Sequence, residues 1–223
     1  MVNRLGTIGW WFDLRGVNAY LVKDGDALTL IDAGNPWDAD TLRAEIEATG
    51  HTVRDVDRVL LTHYDLDHVG TLARLTELDA PIYIGADDAP YLQGEDRPTW
   101  RNRKAALQRL AGAMVKPVTT VERIEDGDEI GSFTAYHTPG HTPGHVAYVS
   151  EDLSACFLGD LVMERNGRLE PSPYMLSYDD VAVEQSIKAL AAHDFEFEIA
   201  AMGHGVPFVT KGAARLDLLA ATL

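Results

Sequence analysis

The nine residues THYDLDHVG, at 62–70, constrain this chain more than any other stretch. Six positions, His63 to His68, carry two histidines and two aspartates. They follow RVLLT (58–62), a short apolar run of the kind that forms a buried strand. A solvated acidic loop or a metal site would explain so many imidazoles and carboxylates on one turn, and the rest of the chain decides between them. His141 lies in TPGHTPGH after a strand-like run, Asp160 closes the apolar run SACFLGD, and His204 sits in GHG after another. Four strand ends presenting His or Asp in loops is the arrangement expected of a metal centre at one edge of a sheet scaffold.

The donor chemistry agrees. Neutral imidazole and carboxylate suit zinc, iron or manganese. The single cysteine, Cys156, excludes both an intramolecular disulfide and a thiolate cluster. It lies in an apolar run and reads as an inert buried thiol. Six or seven donors exceed the need of one tetrahedral ion. They suggest two ions about 3.5–4 Å apart that share a carboxylate and a bridging hydroxide. No GxxxxGK[ST] or GxGxxG stretch offers a nucleotide cradle.

Composition narrows the setting. The chain has 223 residues, 46% of them hydrophobic, enough for one core, and one domain over 1–223 is expected. The formal net charge is −16, so the chain should repel phosphate backbones and no nucleic-acid partner is expected. Acidity built from 22 Asp and 13 Glu, with only 5 Lys, is the surface of a salt-adapted protein or of an ordinary acidic, Arg-rich bacterial one. No apolar run reaches 18 residues and the amino-terminal stretch lacks a signal-peptide pattern, so a cytoplasmic protein without membrane contact is expected. Oligomeric state is left open.

NAYLVK, DGD and ALTLIDAG read as a hairpin, and 38–49 as a helix stopped by Gly50. LARLTEL reads as helix, PIYIG as strand, 98–114 as helix, and TAYHTPG, HVAYVS and SACFLGD as strands. VAVEQSIKALAAH reads as an amphipathic helix, EIAAMGHG as strand and turn, and TKGAARLDLLAATL as a closing helix. This is an α/β layer protein, and periodicity leaves a doubly wound sheet and a two-sheet sandwich both open.

The DAG turn (Asp32, Ala33, Gly34), THYDLDHVG, HTPGHTPGH, the pair Gly159–Asp160 and GHG resemble, in order and separation, the motifs of the metallo-β-lactamase superfamily. The resemblance spans nearly the whole chain. It implies an αββα sandwich, with two mixed β-sheets inside helical outer layers and one or two metals at an edge. By position it implies that His63 and His141 hold a first ion, Asp67, His68 and His204 a second, and that Asp160 bridges them. The family's usual HxHxDH motif has its second histidine replaced here by Asp65. Asp65 is expected to ligate, or else to bond a neighbouring loop or histidine, and its harder donor shifts preference from zinc towards manganese or iron. Two divalent ions are expected, with zinc first. Asp32 is expected to support the metal loops through hydrogen bonds.

The resemblance, to the glyoxalase-II-like and lactonase-like branches in particular, implies a metallo-hydrolase. Its small-molecule substrate would carry an ester-like bond: thioester, lactone or β-lactam. Asp67 would hold the hydroxide's proton, and Tyr174 or Tyr178 would donate a hydroxyl to a substrate oxygen. Trp10, Trp11 and Phe12 read either as an apolar lip or as core packing, and 96–114 either as a cover over the site or as a solvated face. His137 reads as a strand-end support for its loop, His145 as an ordinary residue or one that backs the ligands or faces substrate, and His51 and His193 as surface caps. The alternatives are a mononuclear iron oxidoreductase of the persulfide dioxygenase kind and a metal-binding module without catalysis.

Overall fold

A computed structural model describes residues 3–100 and 102–223. The first sheet contains β1 (Asn3–Leu5), β2 (Gly9–Asp13), β3 (Asn18–Asp24), β4 (Ala27–Ile31), β5 (Arg58–Leu60), β6 (Ile82–Gly85) and β7 (Glu122–Ile124), neighbours in that order. Its first four strands form an antiparallel meander, and β4 to β7 run parallel. The second sheet holds β8 (Glu129–Ile130), β9 (Phe133–His137), β10 (Val146–Ser150), β11 (Ala155–Gly159) and, after the separate hairpin β12 (Val162–Arg165) and β13 (Arg168–Pro171), β14 (Ile199–Met202). Its order is β14-β11-β10-β9-β8, with β14 parallel to β11. The helices are α1 (Ala39–Ala48), α2 (Leu66–Val69), α3 (Ala89–Gln93), α4 (Arg103–Ala111), α5 (Asp180–Ala191) and α6 (Gly212–Ala220).

The strands show why this is a sandwich with helices outside. Side chains alternate across a strand, so a strand that is apolar at every position must be covered on both faces. In β3, Ala19 and Leu21 face the helix-covered layer with Leu42 and Ile46 of α1, while Tyr20 and Val22 face the second sheet. In β11, Ala155 and Phe157 face the first sheet, and Cys156 and Leu158 face the layer containing Ile187 and Leu216 of α5 and α6. Phe157 lies at the centre, its ring edge-on to Tyr20 at 5.4 Å and to Phe133 at 6.0 Å. The two sheets are mixed and flanked by helices, as an αββα sandwich requires. Cys156 is fully buried, and burial raises its thiol well above the usual range.

Several local readings change. LARLTEL is no helix: one 3₁₀ turn, Leu72–Arg74, suffices to bury Leu72 and Leu75. The helix expected at 98–114 begins only at Arg103, because the Asn102 side chain accepts the Lys104 and Ala105 amides and caps it there. It ends in a 3₁₀ turn, Gly112–Met114, and Arg101 lies outside the described residues. Trp10 and Phe12 are buried in the core, while half-buried Trp11 lies on the other face of β2 and donates Nε1–H to Asn18 Oδ1 at 2.7 Å, so Trp10 and Phe12 form no lip. Among the described residues, no helix is long and apolar enough to cross a membrane.

Candidate metal centre

Chain ends of parallel neighbours gather at one edge: Asp32 after β4, Thr62–His68 after β5, Asp160 after β11 and His204 after β14, joined by the β9–β10 loop with His141 and His145. The Asp32 backbone turns sharply at φ 56°, and its side chain reaches back into the edge. Its carboxylate accepts the Thr62 amide (2.9 Å), the Thr62 hydroxyl (2.8 Å) and His68 Nδ1–H (2.9 Å). Gly203 is required here for space: a Cβ would stand 2.0 Å from Asp160 Oδ1 and 2.7 Å from His68 Cε1.

Four imidazoles share one orientation. His63 Nδ1 meets Thr62 Oγ1 at 2.9 Å, and His68 Nδ1 meets Asp32. His141 Nδ1 meets Ser172 Oγ at 2.8 Å, and His204 Nδ1 donates to the Gly16 carbonyl at 2.6 Å. With every Nδ1 engaged, every Nε2 turns inward, the arrangement by which a partner on one ring nitrogen aims the other towards a metal. Among the described residues, buried His63 Nε2, His68 Nε2 and Asp160 Oδ1 have no hydrogen-bonding partner. Buried polar atoms without partners are costly, so three beside one another mark a space built for a cation.

The separations fit such a space. Asp160 Oδ2 lies 3.5 Å from His141 Nε2 and 3.2 Å from His204 Nε2, while its Oδ1 lies 3.5 Å from His68 Nε2. Asp65 Oδ2 is 3.4 Å from His63 Nε2 and 3.1 Å from His141 Nε2, and Asp67 Oδ2 is 3.6 Å from His204 Nε2. Donors held about 2.0–2.2 Å from a tetrahedral ion stand about 3.3–3.6 Å from each other. The donors form three overlapping groups: His63, Asp65 and His141; His63, His68 and Asp160; Asp67, His68 and His204. The structure thus brings together all seven donors expected from the sequence, with Asp160 between the halves. The residues present could hold the divalent ions the fold implies.

Charge differs across the cluster. Burial opposes a proton on His68, but Asp160, Asp32 and Asp67 outweigh it and raise its pKa to about 10. Asp160 likewise lifts His204 to about 9. Burial, reinforced by the neighbouring Lys104 ammonium, drives His141 down to about 4. His145 is depressed too, by burial and the nearby imidazoles. It accepts the Asp160 amide at Nε2 (3.1 Å) and meets Thr138 Oγ1 at Nδ1 (2.8 Å), so it holds the Asp160 backbone from behind. His137, the other loop support, contacts the Pro143 carbonyl through Nε2 at 2.8 Å. His51 lies edge-on to Trp10 and His193 stacks on Phe195, both apart from the cluster.

Three participants escaped sequence reading. Asp88, at the start of α3, is buried and accepts the Tyr64 amide (2.8 Å), the Thr142 hydroxyl (2.6 Å) and the Gly144 amide (3.0 Å), tying two donor loops together. Lys104 and Gln108 of α4, one turn apart, both reach Asp65. Helix α4 therefore packs against Asp65 through these two side chains. The tyrosines stand outside the cluster. Tyr178 donates its hydroxyl to Gln108 Oε1 at 2.5 Å, and Tyr174 is 65% exposed on a 3₁₀ turn.

A sandwich of this order with His and Asp at one edge defines a class of metal-binding folds, and similarity to known proteins gives the family. The metallo-beta-lactamase superfamily profile matches residues 12–204, so the chain belongs to that superfamily. It is 26% identical over 219 residues to the probable metallo-hydrolase YflN of Bacillus subtilis (strain 168), covering 87% of this chain and 82% of that one. It is 27% identical over 190 residues to an atrochrysone carboxyl ACP thioesterase of Passalora fulva, covering 82% of this chain and 49% of that protein. The chain also spans only 64% of the length of a further curated relative. Among solved structures, the crystal structure of TTHA1623 in a di-iron-bound form matches with a TM-score of 0.70 and 31% identity, over 95% of this chain and 98% of that one.

Proposed function

We propose that this protein is a metal-dependent hydrolase that cleaves an ester-like bond, such as a thioester, lactone or β-lactam, in a small-molecule substrate. One observation carries the reading: four imidazoles with engaged Nδ1 atoms point Nε2 at a space divided by Asp160. His63, Asp65 and His141 would form one metal position and Asp67, His68 and His204 the other, with Asp160 between. Zinc is the first expectation, and the di-iron form of TTHA1623 keeps iron beside it. When bound, divalent ions supply Lewis acidity and lower the pKa of a coordinated water towards neutrality.

The protein's own groups do the rest. Asp67, partly exposed beside His204, would hold the proton of the attacking water. The 172–178 segment wraps His141, since the Tyr178 amide donates to the Gly140 carbonyl and Ser172 orients the ring. Exposed Tyr174 and Met175 stand beside α4 at this mouth, which favours a substrate with an apolar group next to the scissile carbonyl. The thioesterase relative supports the thioester member of the class. The test is a panel of thioesters, lactones, nitrocefin and a phosphodiester, run with and without chelator at low and high salt. Turnover of one ester-like substrate, abolished by chelator and by Asp160→Ala, is expected. Chelator-insensitive turnover, or full activity of Asp160→Ala, would overturn the assignment.

A further inference from the structure

The superfamily's usual histidine at position 65 is an aspartate here, and the structure supplies that aspartate with dedicated partners. α4 sends Lys104 and Gln108, one turn apart, to the same carboxylate. Gln108 Nε2 donates to Asp65 Oδ1 at 3.0 Å, and the Lys104 ammonium pairs with Asp65 Oδ2. The same ammonium donates to His141 Nε2 at 3.2 Å. Lys104 is 8% exposed, and α4 is fixed around it: Asn102 caps the helix and donates to the Tyr178 carbonyl at 2.6 Å, while Tyr178 holds Gln108. A buried ammonium is retained only where a charge partner compensates it.

The consequence is an asymmetry between the two halves. In the half formed by His63, Asp65 and His141, Lys104 engages the lone pair of His141 and one oxygen of Asp65. In the other half, Asp67, His68, His204 and Asp160 contact no lysine or arginine among the described residues; His63 Nε2 in the first half, and His68 Nε2 and Asp160 Oδ1 here, have no partner. A divalent ion entering the first half would have to displace the ammonium from both donors or stand beside it, where two like charges repel strongly in a buried site.

We propose that Lys104 is the resident cation of the first position, so that the chain binds one divalent ion tightly, between Asp67, His68, His204 and Asp160, and a second only weakly. The inference rests on the metal-dependent reading above and makes its centre functionally mononuclear. Asp65 and Lys104 are then one device: a carboxylate in place of an imidazole, neutralised by an ammonium in place of an ion.

The test is metal occupancy rather than turnover. Full-length protein is stripped with chelator, titrated with zinc or manganese, desalted and assayed for metal per chain. Wild type should retain one ion. Lys104→Met should retain two, with second-ion affinity raised by about tenfold or more, and Lys104→Arg, which keeps the charge, should remain at one. Two ions of equal affinity in wild type would refute the inference while leaving the metallo-hydrolase reading intact, and this needs no variant to fold. A Lys104→Met protein with native circular dichroism and wild-type occupancy would refute it too. Failure of wild type to retain any ion would overturn both readings.

Discussion

Replacing Asp32 by asparagine keeps its shape and one oxygen, yet it should disable the metal centre it does not touch. The carboxylate accepts three hydrogen bonds, from the Thr62 amide and hydroxyl and from His68 Nδ1–H at 2.9 Å. In Asp32→Asn the oxygen can keep the Thr62 amide, and the new NH₂ then faces Thr62 Oγ1 and His68 Nδ1. Two donors cannot face each other, so His68 must shift its proton to Nε2, the atom 3.5 Å from Asp160 Oδ1 that the ion needs. A buried hydrogen bond to a charged group contributes about 1.5–3 kcal/mol. At about 1.4 kcal/mol per tenfold, metal affinity should fall roughly 10- to 100-fold, the range typical when a ligand loses the partner that orients it. Global stability should fall by less, because Thr62 keeps its amide partner. Titration of the stripped protein with a competing chelator measures affinity, and long-range nitrogen-15 correlation spectra recorded above pH 10, where the ring is neutral, report the His68 tautomer. Affinity within twofold of wild type, or an unchanged tautomer, would refute the reasoning.

Other outcomes follow from the same geometry. Because carboxylates raise His68 to about 10 and His204 to about 9, both rings are protonated at pH 7 in the metal-free protein. Metal uptake at that pH should release protons and tighten as pH rises towards 9–10, which calorimetry in buffers of different ionisation enthalpy would show. Both pKa values lie above the ordinary 6.5, so the stability these protons give the metal-free fold is complete below about pH 6.5 and is lost as pH rises through 9 to 10. Gly203→Ala should fold but lose the ion, since its methyl would intrude on Asp160 and His68; metal analysis reads this directly. Phe157→Ala should lower stability by about 3–5 kcal/mol by opening a cavity between the sheets, as denaturant unfolding would register.

The seven clustered donors were legible because each follows an apolar strand, where a polar residue has little reason to be unless it serves the edge. The sandwich was less legible. Runs such as ACFLG state that both faces are buried, yet a doubly wound sheet makes the same demand; only the meander of β1–β4 and the second sheet's own pairing separate them. Asp88, Lys104 and Gln108 were hidden for a different reason. They lie on short helices whose inward face depends on how the chain returns to the site, and in sequence Lys104 is one of several basic residues on a polar stretch. LARLTEL shows the reverse error, because its apolar spacing of three is satisfied by a single 3₁₀ turn.

The edge formed by His68, Asp160 and His204 is the proposed seat of the metal. Anomalous diffraction at the metal absorption edge, from crystals of the reloaded protein, tests it most directly. A strong peak is expected about 2.0–2.2 Å from His68 Nε2, His204 Nε2 and an Asp160 oxygen. A fully loaded crystal whose only peaks lie away from these three side chains would contradict it.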